Sequence, residues 1–501
     1  MQRRQGQFND KRRIRENCDA SFLDRLHDNV RYGGNPEHKR NPGDFGLTPP
    51  SQPRPDKALC DMTNNLSIEF DWLHRDNGDA IERATLAELA MTANKYSAFE
   101  LEDLTAKSIR KSARVSAYNL AVWFVSNWWK LRWEPKRTTY EWDFSHKIGA
   151  AGGGYLWPNV SFNGDGATIS IQSESTLFPA TGQAIRYINN FSTIITAEEF
   201  ETKIGFFVES VIARLVDLGI NAPELVGLWK EVYAERQDLE LSKWRKLEAI
   251  MGFDPDEVPD HIVVGLKDAS DNYGAGAVEE VAAASQGKVL DILKELSGAP
   301  FAESTGLCMP QFDVLQQEIS SLGPTLFPWQ KGEEAARIAR RAWHLDEGSV
   351  STKYLSEIFG FRQELINEPS KSRGPMTVGY REGGALDHFK IFLNTLYPAN
   401  RRFALMRIVG DNLTASSDDK LLPAPDIKTH RQKFQRAFAQ EFLCPYDELK
   451  EFIGSTEPED EKIEDAARHF EVSPLLVTSV LVNKGHIARA SLDEYGDRVA
   501  A

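Results

Sequence analysis

Six tryptophans, Trp123, Trp128, Trp129, Trp133, Trp142 and Trp157, crowd into 35 residues of this chain. Each indole carries roughly 200 Å² of surface that is costly to leave in water. A segment loaded in this way needs a large apolar partner, so the chain around it must build a true core. It has the means: 501 residues, 41% of them hydrophobic, are room for two to four domains at about 100–200 residues each. Core packing of the indoles is expected, with an aromatic cage or base-stacking platform as the other reading.

The charge excludes some partners. With 59 Lys+Arg against 74 Asp+Glu the formal net charge is −15, which argues against non-specific binding of the whole chain to nucleic acid or anionic membranes. Cys18, Cys60, Cys308 and Cys444 are scattered and form no CxxC, so neither a disulfide framework nor a thiolate zinc site is suggested. No stretch approaches 18 apolar residues, the richest being Leu120 to Val125. The basic N-terminus lacks an apolar h-region. A cytoplasmic protein with no membrane partner is expected.

Composition divides the chain. Residues 1–64 hold 12 Lys+Arg and 9 Asp+Glu, a net of +3, which leaves −18 for the rest. Within them Tyr32 to Pro55 is rich in Pro and Gly, so a disordered arm is expected; docking on the body or on a partner is the alternative. Its YGGNPEHKRNPGDFGL resembles the opening of a family of small uncharacterised bacterial proteins. Residues 65–296 read as a helical α+β domain. Leu86 to Leu104 and Ala113 to Leu131 read as helices. Thr138 to Phe144, Val160 to Phe162 and Ala167 to Gln172 read as strands, the last two turned at Asn163-Gly164-Asp165-Gly166. Gly152-Gly153-Gly154 lacks phosphate-loop spacing and reads as a turn. Ile204, Phe207, Val208, Val211, Leu215 and Leu218 make the stripe of a long helix ending near Gly219. A helix pair over Pro223 to Met251 and a helix over Val278 to Leu296 follow. Residues 297–327, with several Pro and Gly, read as a linker, and 493–501 as a tail.

From residue 328 the expected order is helix (Gly332 to Trp343), helix (Thr352 to Phe359) and a hairpin of Met376 to Tyr380 with Phe389 to Leu393, turned at Glu382-Gly383-Gly384. Next come a helix from Arg401, a helix over Arg431 to Leu443, and two short helices around Glu471-Val472-Ser473-Pro474. The last pair could read DNA as a helix-turn-helix. Its few basic residues are opposed by Glu464, Asp465 and Glu471, so helix packing is expected and nucleic acid is not. The run Glu457 to Glu464 reads as a solvated acidic linker and helix start.

The landmarks Arg401, Arg402 and Phe403, then Phe438, Ala439, Glu441, Leu443 and Pro445, then Phe470, Val472 and Ser473 resemble the ImmA/IrrE family of zinc metallopeptidases, bacterial regulators that cleave repressors or antitoxins. The resemblance covers residues 328–492 and implies a zincin-like C-terminal domain. The fold class is thus α+β, predominantly helical, in two domains with small antiparallel sheets. The family's HExxH supplies two zinc-binding His and a Glu base. Here Arg407, Ile408 and Asp411 stand at those three places, and Phe434 stands where the third ligand belongs. Arginine stays protonated and cannot ligate, and isoleucine cannot take a proton. His388 and His430 flank the region and read as surface or capping residues. Arg407 and Asp411, at i and i+4, are expected to pair across the vacated pocket.

The first reading is therefore a non-catalytic, peptidase-like protein that binds another protein, in a toxin–antitoxin, defence or stress setting, with no metal or cofactor. A zinc endopeptidase with an unorthodox site is the first alternative, and an enzyme of unknown class in residues 65–296 the second. In the first reading the hairpin edge, at Val378 or Ile391, captures an extended protein segment by strand addition.

Overall fold

The computed structural model describes residues 65–176, 184–285, 287–345, 348–382, 386–455 and 458–487. The arm at Tyr32 to Pro55, the hairpin turn at Gly383-Gly384, the start of the acidic run at Glu457 and the tail 493–501 lie outside the described residues. About half of the described residues are helical, and every sheet among them is small and antiparallel.

The first unit is built around a strand where the sequence favours a helix. Leu86–Ala93 (β2) consists almost wholly of good helix formers, yet Ala87, Leu89, Met91 and Ala93 are buried on one face with period two. It pairs along its length with Leu66–Trp72 (β1), and on its other side with Tyr96–Ser97 (β3) and Ala113–Ser116 (β6). Pairing overrides propensity here, so the helix expected over 86–104 is corrected. Leu101–Asp103 (β4) sits between Ser108–Arg110 (β5) and Ile185–Tyr187 (β9) in a second sheet. Asn159–Gly164 (β7), Thr168–Glu174 (β8) and Phe191–Thr196 (β10) form a third, with the hairpin where the sequence places it.

Ala80–Thr85 (α1) is capped by Asp79, whose Oδ1 accepts from Glu82 N at 2.9 Å. The helix expected from Ala113 starts later, as Ala117–Ser126 (α2) capped by Ser116, breaks at Asn127 and resumes as Trp128–Trp133 (α3). Tyr140–His146 (α4) replaces the strand expected over 138–144. Thr139 caps its Trp142 N, and Glu141 and Asp143 favour the positive end of its dipole. Five of the six crowded tryptophans are buried, and Trp133 lies between the Arg132 guanidinium (4.3 Å) and Lys246 (4.4 Å). Gly152, Gly153 and Gly154 all have positive φ, at 65°, 71° and 76°, a turn that other residues would strain to make. Ala197–Asp217 (α5), Pro223–Gln237 (α6) and Leu239–Met251 (α7) follow their apolar stripes, the last closed by Gly252 in the left-handed region.

Asp260–Tyr273 (α8), Ala275–Ser285 (α9) and Val289–Leu296 (α10) then leave this core. They cover one face of a four-stranded sheet, against Met376, Val378, Tyr380, Phe392 and Leu421. The sheet runs Thr305–Cys308 (β11), His388–Phe392 (β13), Thr377–Arg381 (β12) and Leu421–Ala424 (β14). So 297–327 is no linker: besides β11 it holds Ala299–Ala302 (α11) and Phe312–Ser320 (α12).

The opposite face, with Phe389, Ile391 and Leu422, meets the remaining helices. These are Pro328–Ala342 (α13), Thr352–Phe359 (α14), Glu364–Asn367 (α15), Pro398–Thr414 (α16), His430–Leu443 (α17), Tyr446–Ile453 (α18), Asp460–His469 (α19) and Pro474–Asn483 (α20). The α19–α20 pair buries Ala466, Phe470, Leu476 and Val477 in that core, as helix packing requires. The result is three layers: α8–α10, the sheet, and the α16–α17 layer. No helix among the described residues is long and apolar enough to cross a membrane.

Candidate functional site: a buried ion network between α16, α17 and α9

Helix α16 is buried almost all round, from Arg401 to Leu413, because the sheet lies on one side and α17 on the other. At Gly410 a Cβ would come within 2.7 Å of the Phe438 ring. Only glycine lets the two helices approach this closely. Thr429 starts α17 by accepting from Gln432 N at 3.2 Å. This approach brings the polar residues of both helices into one enclosed cluster.

Asp411 is fully buried, and both of its oxygens are taken by the fork of Arg431: Nε to Oδ1 and Nη2 to Oδ2, each 2.8 Å. The third donor of that guanidinium, Nη1, reaches Asp419 Oδ2 at 2.8 Å, and Asp419 Oδ1 accepts from Ala277 N at the start of α9. Burial alone would lower the Arg431 pKa, but Asp411 and Asp419 more than reverse this and hold the guanidinium charged. The Arg407–Asp411 pair expected from the i, i+4 spacing is absent. A two-pronged match to a buried carboxylate outcompetes a single contact along one helix.

Arg407 turns the other way. Its Nη2 donates to Pro425 O at 2.7 Å and to Gln432 Oε1. Gln432 Nε2 donates in turn to Glu280 Oε2 at 2.8 Å, which also accepts from Thr429 Oγ1 at 2.9 Å. Burial, with the nearby Arg436 charge adding to it, brings Arg407 down to about 9, so it remains a cation at neutral pH. Burial raises the pKa of Glu280, against the pull of Arg431 and His430. Ile408 and Phe434 belong to the apolar core beside this network.

Four residues assigned by resemblance to zinc chemistry thus lie in and around one cluster, but as a donor set they do not fit the metal. Zinc needs several free, deprotonated ligands. Arg407, Ile408 and Phe434 offer none, and Asp411 has spent both oxygens on Arg431. Among the described residues no group of three or more His, Cys, Asp or Glu could hold a metal ion. Glu280, Arg431 and Gln432 escaped the sequence reading. The one signal was a glutamate between Val278 and Val281 in an Ala-rich helix, which helical spacing alone does not mark as reaching a site far along the chain.

Two further expectations are settled by geometry. Val378 and Ile391 are not on an edge: Val378 pairs with both Phe392 and Pro423, and Ile391 with both Gly379 and Thr305. Their strands are central and both residues are fully buried, so strand addition there is ruled out. His388 is exposed, with Nδ1 3.0 Å from Asp387. His430 opens α17 and ties it to the β7–β8 turn: its backbone N and ring Nδ1 both contact Asp165 O, at 2.9 and 3.1 Å. Beside it Lys433 reaches the buried Asp165 carboxylate at 2.5 Å.

No protein-family model, curated protein or solved structure matches the chain.

Proposed function

We propose that this protein acts by binding another protein and not by cleaving one. It is read as a non-catalytic relative of the ImmA/IrrE peptidases, working in the cytoplasm as a regulator within a bacterial toxin–antitoxin, defence or stress module. The observation that supports this reading is the Arg431 guanidinium clasped by Asp411 and Asp419. A fixed organic cation sits on the one ligand-capable residue of the four, and the Arg407 cation beside it disfavours a second positive charge. With neither ligands nor base, the retained fold is left with recognition as its use. The partner docks elsewhere than on β12 or β13, whose pairing is complete.

The test uses the full chain purified from its native host. The expected result is zinc far below one atom per chain by elemental analysis, and a partner chain retained intact at fixed stoichiometry through size-exclusion chromatography. One zinc per chain, together with chelator-sensitive cleavage of that partner, would overturn the reading in favour of an unorthodox peptidase.

A further inference from the structure

Away from the ion network, the sheet β5–β4–β9 forms the floor of an open cavity of about 390 Å³. Strand alternation decides what faces it: Leu101 and Asp103 from β4, Ser108 and Arg110 from β5, Ile185 from β9, with Arg114 of β6 at the side. We propose that this cavity binds a small phosphate monoester, with Arg110 and Arg114 receiving the phosphate and the mixed floor beside Ser108 and Ile185 receiving its sugar-like body.

Asp103 does not cancel the site. Its Oδ1 accepts from Thr105 N at 3.0 Å and Ala106 N at 2.8 Å, and its Oδ2 from Arg110 Nη2 at 2.8 Å. A carboxylate so committed works as a clamp that holds the guanidinium in one pose, and this lowers the ordering cost of binding. Arg114 is exposed and forms no ion pair among the described residues. Residues 103–114 hold Lys107, Arg110, Lys111 and Arg114 against Asp103 alone, a net of +3 in a chain of −15. That local reversal of sign suits a phosphate dianion better than a carboxylate. Strands of three residues are too short to track a nucleic-acid backbone, whereas the cavity has the size of one small molecule.

The experiment is calorimetric titration of the full chain with ribose 5-phosphate, ribose, inorganic phosphate and a single-stranded oligonucleotide. The expected result is saturable binding of one ribose 5-phosphate per chain, tighter than inorganic phosphate, with no heat from ribose. Arg114→Gln removes an exposed group and should weaken binding by about tenfold, Arg110→Gln by at least as much. Arg341→Gln, at a distant exposed pair with Glu318, should leave it unchanged. Absence of saturable binding, unaltered affinity in Arg114→Gln, or tighter binding of the oligonucleotide than of the monoester each overturns the proposal.

Discussion

Glu134 and His146 face each other deep beside the tryptophan cluster, with Oε2 and Nε2 4.0 Å apart. His146 Nδ1 contacts Trp142 O at 2.8 Å and Nε2 contacts Lys130 O at 3.3 Å, so the ring is held by two carbonyls with the carboxyl group just beyond Nε2. Burial pushes Glu134 up from 4.5 to about 7 and His146 down from 6.5 to about 4. The two shifts act in opposite directions on stability. The raised Glu134 favours the folded state fully below pH 4.5, and that benefit is lost as pH rises toward 7. The depressed His146 favours it fully above 6.5, and that benefit is lost as pH falls toward 4. Near pH 5.5 the unfolded chain holds its proton on the imidazole and the folded chain holds it on the carboxyl, so the pair itself adds little pH dependence. Removing one partner exposes the other. Glu134→Gln should lose stability relative to wild type on acidification from 6.5 toward 4, and His146→Gln on alkalinisation from 4.5 toward 7. Each change should be on the order of 2 kcal/mol by urea midpoints. Parallel curves for all three proteins would show that the pair does not titrate as argued.

At the scale of elements, the sheet β11–β13–β12–β14 turns an expected binding edge into core. Proline at Val378 or Ile391 removes a ladder donor and clashes between two flanking strands. Either variant should therefore lose at least about 3 kcal/mol or fail to fold, as read by circular dichroism and urea denaturation; wild-type stability would show that the strands are not central. Legibility followed periodicity here. Helices α5 to α7, α13, α14, α16 and α17 carry 3.6-residue stripes or clear stops, and their places were readable, whereas α15, four residues long, is too short to show either. Residues 86–93 were not, because Leu, Ala, Glu and Met favour helix in isolation and only β1 and β6 make them a strand. Strand β11 is four residues long, TGLC, which is too short to show alternation. The candidate site was half legible: Arg407, Ile408, Asp411 and Phe434 were marked by what they lack, but Glu280 and Arg431 join them only through packing.

Across the whole molecule, the segment 239–296 has two allegiances. Helix α7 buries Ala249 in the tryptophan-rich core, while Ile250 and Met251 already belong with α8–α10 and the C-terminal sheet. Asp165–Lys433 and the Glu280–Gln432 bond add polar ties between regions far apart in sequence. A fragment of residues 328–492 would therefore lack β11, Glu280 and the whole α8–α10 layer. It should leave β13 with an open edge and Val378, Tyr380 and Phe392 exposed to water. The expected outcome is aggregation or a molten state by size exclusion and near-ultraviolet circular dichroism, whereas a fragment of 239–487 keeps all three layers and should fold. A monomeric, cooperatively unfolding 328–492 fragment would show that the layer over the sheet is dispensable.

The clasp on Arg431 also closes a route of change. Histidines at positions 407 and 411 with glutamate at 408 would write a metal-binding pattern into α16, but Arg431 would then be a buried cation stripped of its bidentate carboxylate. Breaking one side of such a pair costs about 3–5 kcal/mol, a large part of the about 5–15 kcal/mol that holds an ordinary domain together. Arg431 would keep only its single bond to Asp419, and Glu280 would lose the Arg407 charge near it. No single substitution leads from this network to a metal centre through stable intermediates. A lineage that settles into such a site can keep varying at its surface, but the site itself is held in place by counter-charges that must all change together.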